Sequence, residues 1–152
     1  MAEISYQIIQ DHDLTIIKVQ GSASIADLEQ VYDEIGSRRL TTNSIWDVTH
    51  GSVGNLSGAE VRQIAGQLKR GAGMCPNGRT AIVAPRDLDY GIGRMFEVYA
   101  DIERLTVKFV TFRSMVEAKV WLGVDTSLEF DEPAEKVTSI ASGKTFRGLY
   151  TV

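Results

Sequence analysis

Two β-rich runs open the chain, ISYQIIQ at residues 4 to 10 and LTIIKVQ at residues 14 to 20. Asp11, His12 and Asp13 between them are polar residues suited to a turn, so the pattern predicts a hairpin. Gly21 breaks the second run. Ser24 then stands as a helix N-cap with Asp27 three residues on, where a capping-box acid belongs. Ile25, Leu28, Tyr32 and Ile35 follow at spacings of three, four and three, which keeps them on one helical face and predicts a helix over about 25–35. A short strand is expected at Ile45 to Val48. Ser57 and Glu60 form a second Ser-x-x-Glu box ahead of Val61, Ile64, Ala65 and Leu68, the clearest amphipathic pattern in the chain.

The stretch GAGMCPNG, Gly71 to Gly78, reads as a turn-forming loop, and Thr80 to Ala84 is a nearly continuous apolar run of the kind buried on both faces of a sheet. Pro85 ends it. Residues 88 to 100 place Ile92, Met95, Phe96 and Tyr99 on one helical face, although Gly91 and Gly93 each cost about 1 kcal/mol against Ala in a helix interior. Leu105 to Phe112 alternates in strand fashion, and Ser114 with Glu117 makes a third box before a short helix ending at Leu122 and Gly123. The order ββαβαβαβα implies right-handed crossovers and a mixed, mostly parallel five-stranded sheet with one antiparallel edge strand and about four helices.

Residues 123 to 152 change character. Asp125, Glu129, Asp131, Glu132 and Glu135 all precede the first base, Lys136, and the segment closes on Phe146, Leu149, Tyr150 and Val152, which are too apolar for a free terminus. The expectation is one α/β domain over 1–123 and an acidic, then apolar, extension over 124–152. The extension is expected to dock on the same chain or on a second copy, giving a homodimer with the tail in its interface.

Composition narrows the classes of function. With 152 residues the chain suits one domain, and 43% hydrophobic against 24% charged residues fits neither intrinsic disorder nor a membrane span. Lys+Arg 16 against Asp+Glu 20 gives net charge −4, so no global electrostatic case exists for nucleic acid or an anionic membrane. MAEISYQIIQDHD lacks the basic and apolar segments of a secretory signal, which leads to the expectation of a cytoplasmic protein. A single cysteine, Cys75, excludes an internal disulfide framework and a thiolate metal cluster.

Candidate chemistry is sparse. A nucleophilic cysteine needs a base, and neither His12 in the first turn nor His50 after the third strand is tied to Cys75 by spacing. Asp11, His12 and Asp13 point in different directions from a hairpin turn, so no metal site is expected there. Gly71-Ala72-Gly73 follows a helix and precedes a strand, the reverse of a phosphate-cradling loop. Gly91 and Gly93 follow a strand but lack the full dinucleotide fingerprint, and close helix–sheet packing is the favoured use. Asp47, Thr49, His50, Asn55 and Ser57 gather where a parallel sheet places its ligand crevice, at the carboxyl end of a central strand. Ser57 also caps a helix; both roles can hold at once.

The element order, SIWDVT followed by a helix opening LSGAEV, and GRTAIVAPRDLDYGIGRMFEVYAD followed by VKFVTFRSMVEAKVWLG resemble the SpoIIAA-like branch of the STAS domain superfamily over about residues 4 to 123. The most specific part is an apolar strand, Phe-Arg, a capped helix and a closing Ala118, Trp121 and Leu122, with Trp121 expected as a buried aromatic that closes the last helix. The resemblance implies a small regulatory interaction module, not an enzyme, with no cofactor. In the anti-sigma factor antagonists, a serine at the start of the helix after the central strand is phosphorylated by a partner kinase and controls partner exchange; Ser57, followed by Gly58, is the matching position. Those proteins usually carry Asp directly before that serine, and this chain has Leu56. Thr49 and Ser52 are the neighbouring hydroxyls and Asp47 the neighbouring acid. The alternative is a carrier or sensor of a small apolar or amphipathic ligand held by Tyr90, Met95, Phe96 and Tyr99.

Overall fold

The computed structural model describes residues 2–36, 41–70, 77–129 and 135–136. The hairpin forms β1 (Glu3–Ile9) and β2 (Leu14–Ser22), joined by a 3₁₀ turn that Asp13 closes in the left-handed region, at φ 51°. A short polar side chain tolerates that conformation. Helix α1 (Ile25–Gly36) follows, then β3 (Asn43–Asp47), the two-residue β4 (Gly51–Ser52), α2 (Gly58–Arg70), β5 (Arg79–Val83), α3 (Asp87–Ile102), β6 (Lys108–Phe112), α4 (Met115–Leu122) and the two-residue β7 (Glu135–Lys136).

The helix starts obey local chemistry. Ser24 Oγ accepts from Asp27 N at 3.2 Å while Asp27 accepts from Ser24 N at 3.0 Å, and Ser57 and Glu60 exchange the same pair at 3.1 and 3.0 Å. The third box is half made. Ser114 Oγ accepts from Glu117 N at 3.2 Å, but the Glu117 carboxylate reaches back one residue further, to Arg113 N at 3.3 Å. Helix α4 ends at Gly123, φ +75°, with Gly123 N donating to Val120 O and Val124 N to Lys119 O, a Schellman closure that needs a residue free of Cβ strain. Helix α3 has no side-chain cap; Arg86 precedes it in extended conformation and its first turn carries Asp87 and Asp89.

The strands lie in the order β6-β5-β3-β2-β1-β7, with β4 off this path beside β2. β2, β3, β5 and β6 pair in parallel, each with the next of the four in the chain, and β1 is antiparallel to β2. The chain therefore steps across the sheet in one direction, and right-handed crossovers repeated in one direction set their helices on one face. Leu28 and Val31 of α1, Val61, Ile64 and Leu68 of α2, and Ile92, Phe96 and Ala100 of α3 share one core with Ile17, Val19, Trp46 and Phe109. The other face carries α4, whose Ala118 and Leu122 pack on Leu14, Ile16, Ile45, Ala81 and Val83. The antiparallel strand β1 is not the rim of the sheet: Ser5 and Tyr6 pair on its outer side with Lys136 and Glu135 of β7.

Between Asp47 and Gly51 the strand leaves the sheet and returns to it, so that β4 pairs Gly51 with Gly21 and Ser52 with Ser22. A Cβ on Gly51 would stand 2.3 Å from Val19 O, which reserves the position for glycine. The two glycines of α3 divide in use. A Cβ on Gly93 would lie 2.6 Å from Thr111 side-chain atoms, the close helix–sheet packing expected, whereas one on Gly91 would meet nothing within 4 Å. Past α4, Val124 packs on the second core and Lys119 Nζ donates to Leu128 O at 2.6 Å. Phe146, Leu149, Tyr150 and Val152, with the tail-mediated dimer they suggested, lie outside the described residues, as does Cys75.

Trp121, expected to be a buried aromatic, is half-buried: its ring lies 5.6 Å from Phe112 and the Arg79 guanidinium stands 5.2 Å from its centroid. The tryptophan of the core is Trp46, 6% exposed. Trp46→Ala should cost about 3–5 kcal/mol in urea unfolding, and Trp121→Ala clearly less; equal losses would place Trp121 in the core after all. Gly91→Ala should raise stability by about 0.5–1 kcal/mol, because it adds helix propensity in open space.

Candidate functional site

The three candidate hydroxyls sit on one excursion of the chain, Thr49 and Ser52 between β3 and α2 and Ser57 at the start of α2, but their environments differ. Asp47 is half-buried, and its Oδ1 accepts from Thr49 N at 3.0 Å and from the Thr49 hydroxyl, so Thr49 is exposed yet occupied in a local Asx-type turn. Ser52 Oγ donates to Asp89 Oδ1 at 2.9 Å and accepts from Gly54 N at 3.0 Å. Ser57 is exposed, and its hydroxyl and amide make the capping box with Glu60. Of the three, Ser57 alone combines an exposed hydroxyl with a helix N-terminus.

Asp89 is the residue that sequence reasoning passed over. It is 1% exposed. Its Oδ1 also accepts from Val53 N at 2.9 Å, while Oδ2 receives Arg86 Nε and Nη2, each at 2.9 Å. A buried carboxylate needs such a complement of donors, and here they come from two segments: Arg86 from the approach to α3, Ser52 and Val53 from the loop that leads to Ser57. Leu88 lies beside Gly54 of that loop, its Cδ2 standing 2.6 Å from where a Cβ of Gly54 would lie. The Arg-x-x-Asp spacing at a helix start was the visible signal; the partners 36 and 37 residues upstream were not.

Leu56, where the resemblance leads one to expect Asp, is 7% exposed and points into the apolar core. It lines a cavity of about 50 Å³ together with Tyr32, Trp46, Ile82, Phe96 and Phe109. Desolvation raises the pKa of the Tyr32 phenol well above its ordinary value. Of the four residues proposed to hold a ligand, Phe96 lines this cavity. Met95 and Tyr99 pack against the core toward α2, with Met95 Sδ 3.4 Å from where a Cβ of Gly58 would lie and the Arg62 guanidinium 5.7 Å from the Tyr99 centroid. Tyr90 lies elsewhere, beneath the Arg113 guanidinium at 4.1 Å. Among the described residues, then, Phe96 lines this cavity while Met95, Tyr99 and Tyr90 have other neighbours.

Two polar depressions flank the excursion. One, of about 290 Å³, is lined by Ser22, Ser24, Asn55 and Glu60 where the N-termini of α1 and α2 come together, and Asn55 Nδ2 donates to Ser22 Oγ across it at 2.8 Å. The capping carboxylates of Asp27 and Glu60 already sit at those helix starts and offset part of their attraction for a further anion. The other, of about 220 Å³, is lined by Lys18, Asp47, Thr49, His50, Lys119 and Glu129 on the α4 face. Among the described residues no group of three or more His, Cys, Asp or Glu side chains could hold a metal ion, and no helix is long and apolar enough to cross a membrane.

Compared with known proteins, the chain matches no protein-family model and no curated protein sequence.

Asp89→Ala should remove about 1.5–3 kcal/mol of stability, because it strands donors of the loop and the Arg86 guanidinium together. Amide exchange at Val53 should accelerate with it. An unchanged Val53 exchange rate in that variant would show that the loop is held by something other than the carboxylate.

Proposed function

We propose that the chain is a non-enzymatic, SpoIIAA-like interaction module whose regulated hydroxyl is Ser57. The observation that supports this reading most is the combination of exposure and position: Ser57 is exposed at the N-cap of α2, in a reciprocal cap with Glu60. A phosphate there adds about −1.5 to −2 charge at the positive end of a helix, a placement that tolerates an anion. The nearest casualty is Glu60, whose carboxylate is repelled from the Ser57 amide. The modification thus rewrites local surface charge and leaves the core packed. Ser52 is the poorer substrate, since its oxygen is committed to Asp89 and to Gly54 N.

The carrier reading rests on the apolar cavity between α1 and α3. Its volume of about 50 Å³ is far below the roughly 300–1,000 Å³ of ordinary small-molecule sites, so a ligand would have to part the helices to enter. Native mass spectrometry of freshly purified protein separates the two: a retained small molecule favours the carrier, a clean mass the module.

Ser57→Ala should cost about 1 kcal/mol through loss of the cap, while Ser57→Asp should remain folded with a changed partner affinity. Identical partners pulled from native extract by wild type, Ser57→Ala and Ser57→Asp would end the switch reading.

A further inference from the structure

Helix α3 buries Ile92, Phe96 and Ala100 and leaves a second apolar line on a different face. Leu88, Gly91, Met95, Val98 and Ile102 recur at spacings of three, four, three and four, and at 3.6 residues per turn they fall within about 80° of one another. Leu88 is 64%, Val98 54% and Ile102 56% exposed; Met95 is half-buried and Gly91 is exposed. A side chain at Gly91 would meet nothing within 4 Å, so no packing in the described fold accounts for a glycine that weakens the helix. A bare Cα within an apolar line is what lets a second helix approach closely. The line runs two heptads, about 21 Å.

Charge selects what lies on it. Asp87, Arg94 and Asp101 follow one flank of the line at seven-residue spacing, all exposed. A two-fold antiparallel pair of α3 helices would set Leu88 against the second copy's Val98 and Gly91 against its Met95. In that register Arg94 lies about 3 Å along the axis from its copy and Asp87 the same distance from the second copy's Asp101, like charge beside like charge on the same flank. The Asp87–Arg113 pair at 2.6 Å is exposed and exchangeable at little cost, and Arg94, itself exposed, meets the half-buried Glu97 at 3.4 Å. We infer that the Leu88–Ile102 line of α3 docks an amphipathic helix of a different protein, one carrying an apolar seam flanked by a basic, an acidic and a basic residue at seven-residue spacing. Met95, at the centre of the line, packs beside Gly58, the residue after Ser57, so the inference deepens the interaction-module reading by placing its partner surface next to the regulated hydroxyl.

The test uses the full chain and two hydrocarbon-stapled helical peptides of about 18 residues, long enough for both heptads. One has Leu at the seam and Lys, Glu, Lys on the flank; the other has the flank reversed to Glu, Lys, Glu. Fluorescence anisotropy should give saturable binding of the first with a Kd below ~100 µM, and of the second at least about tenfold weaker. Gly91→Glu, which faces open space and therefore folds, should abolish both. No saturable binding, equal affinity for the two peptides, or unchanged affinity in Gly91→Glu would overturn the proposal. Sedimentation showing a wild-type dimer that Gly91→Glu dissociates would overturn it in favour of a second copy. Ser57→Asp is measured in the same assay: a shift of about threefold or more in the first peptide's Kd supports the link to the hydroxyl. Unchanged affinity there removes the switch and leaves the docking line standing.

Discussion

β2 is apolar on both faces, and the architecture answers that one constraint. Leu14 and Ile16 project to one side, Ile17 and Val19 to the other, and all four are buried. Such a strand cannot face water on either side, so the sheet needs cover on both. Three crossovers running in the same direction supply one layer. The second layer requires the chain to change sides after β6, which α4 does before the following segment returns past Lys119 to the far side of β1. Among the described residues the unequal cover, three helices against one, follows from strand order and not from the number of apolar residues.

The excursion between β3 and α2 is shaped by two positions at which the sheet and α3 meet it. Gly51 lets the returning strand lie against Val19, and Asp89 gathers the amide and hydroxyl that follow. The loop carrying the proposed hydroxyl is therefore anchored to α3 through a carboxylate as well as through apolar contact. The surface on which Ser57 stands and the outer line of α3 are parts of one packed unit, with Met95 between them.

Elements whose causes are local were legible in the sequence. The hairpin turn, the Ser24 and Ser57 boxes and the Gly123 stop each depend on residues within a few positions of one another, and the helix and strand bounds came out close to the pattern. The third box was only half legible, because Arg113 N competes for Glu117 and no periodicity rule ranks two backbone donors one residue apart. Trp121 was misread for a different reason: its exposure depends on where α4 lies on the second face, and that is decided by topology. Gly91 and Gly93 are two residues apart and read alike, yet only Gly93 opposes Thr111. Asp89 stayed hidden because a lone acid in a helical first turn is ordinary until its distant donors are seen.

The one-way order of the parallel strands also bears on how the chain assembles as it is made. Each strand from β2 to β6 is laid beside one already synthesised, so the sheet and its three-helix layer can form while the ribosome is still working, in the order of translation. The opposite face of the sheet has no such luck: Leu14, Ile16, Ile45, Ala81 and Val83 wait for α4, the last of the described helices to be made. A nascent chain halted between β6 and α4 is thus a half-clad sheet with a wide apolar surface, the kind of intermediate that chaperones exist to shield.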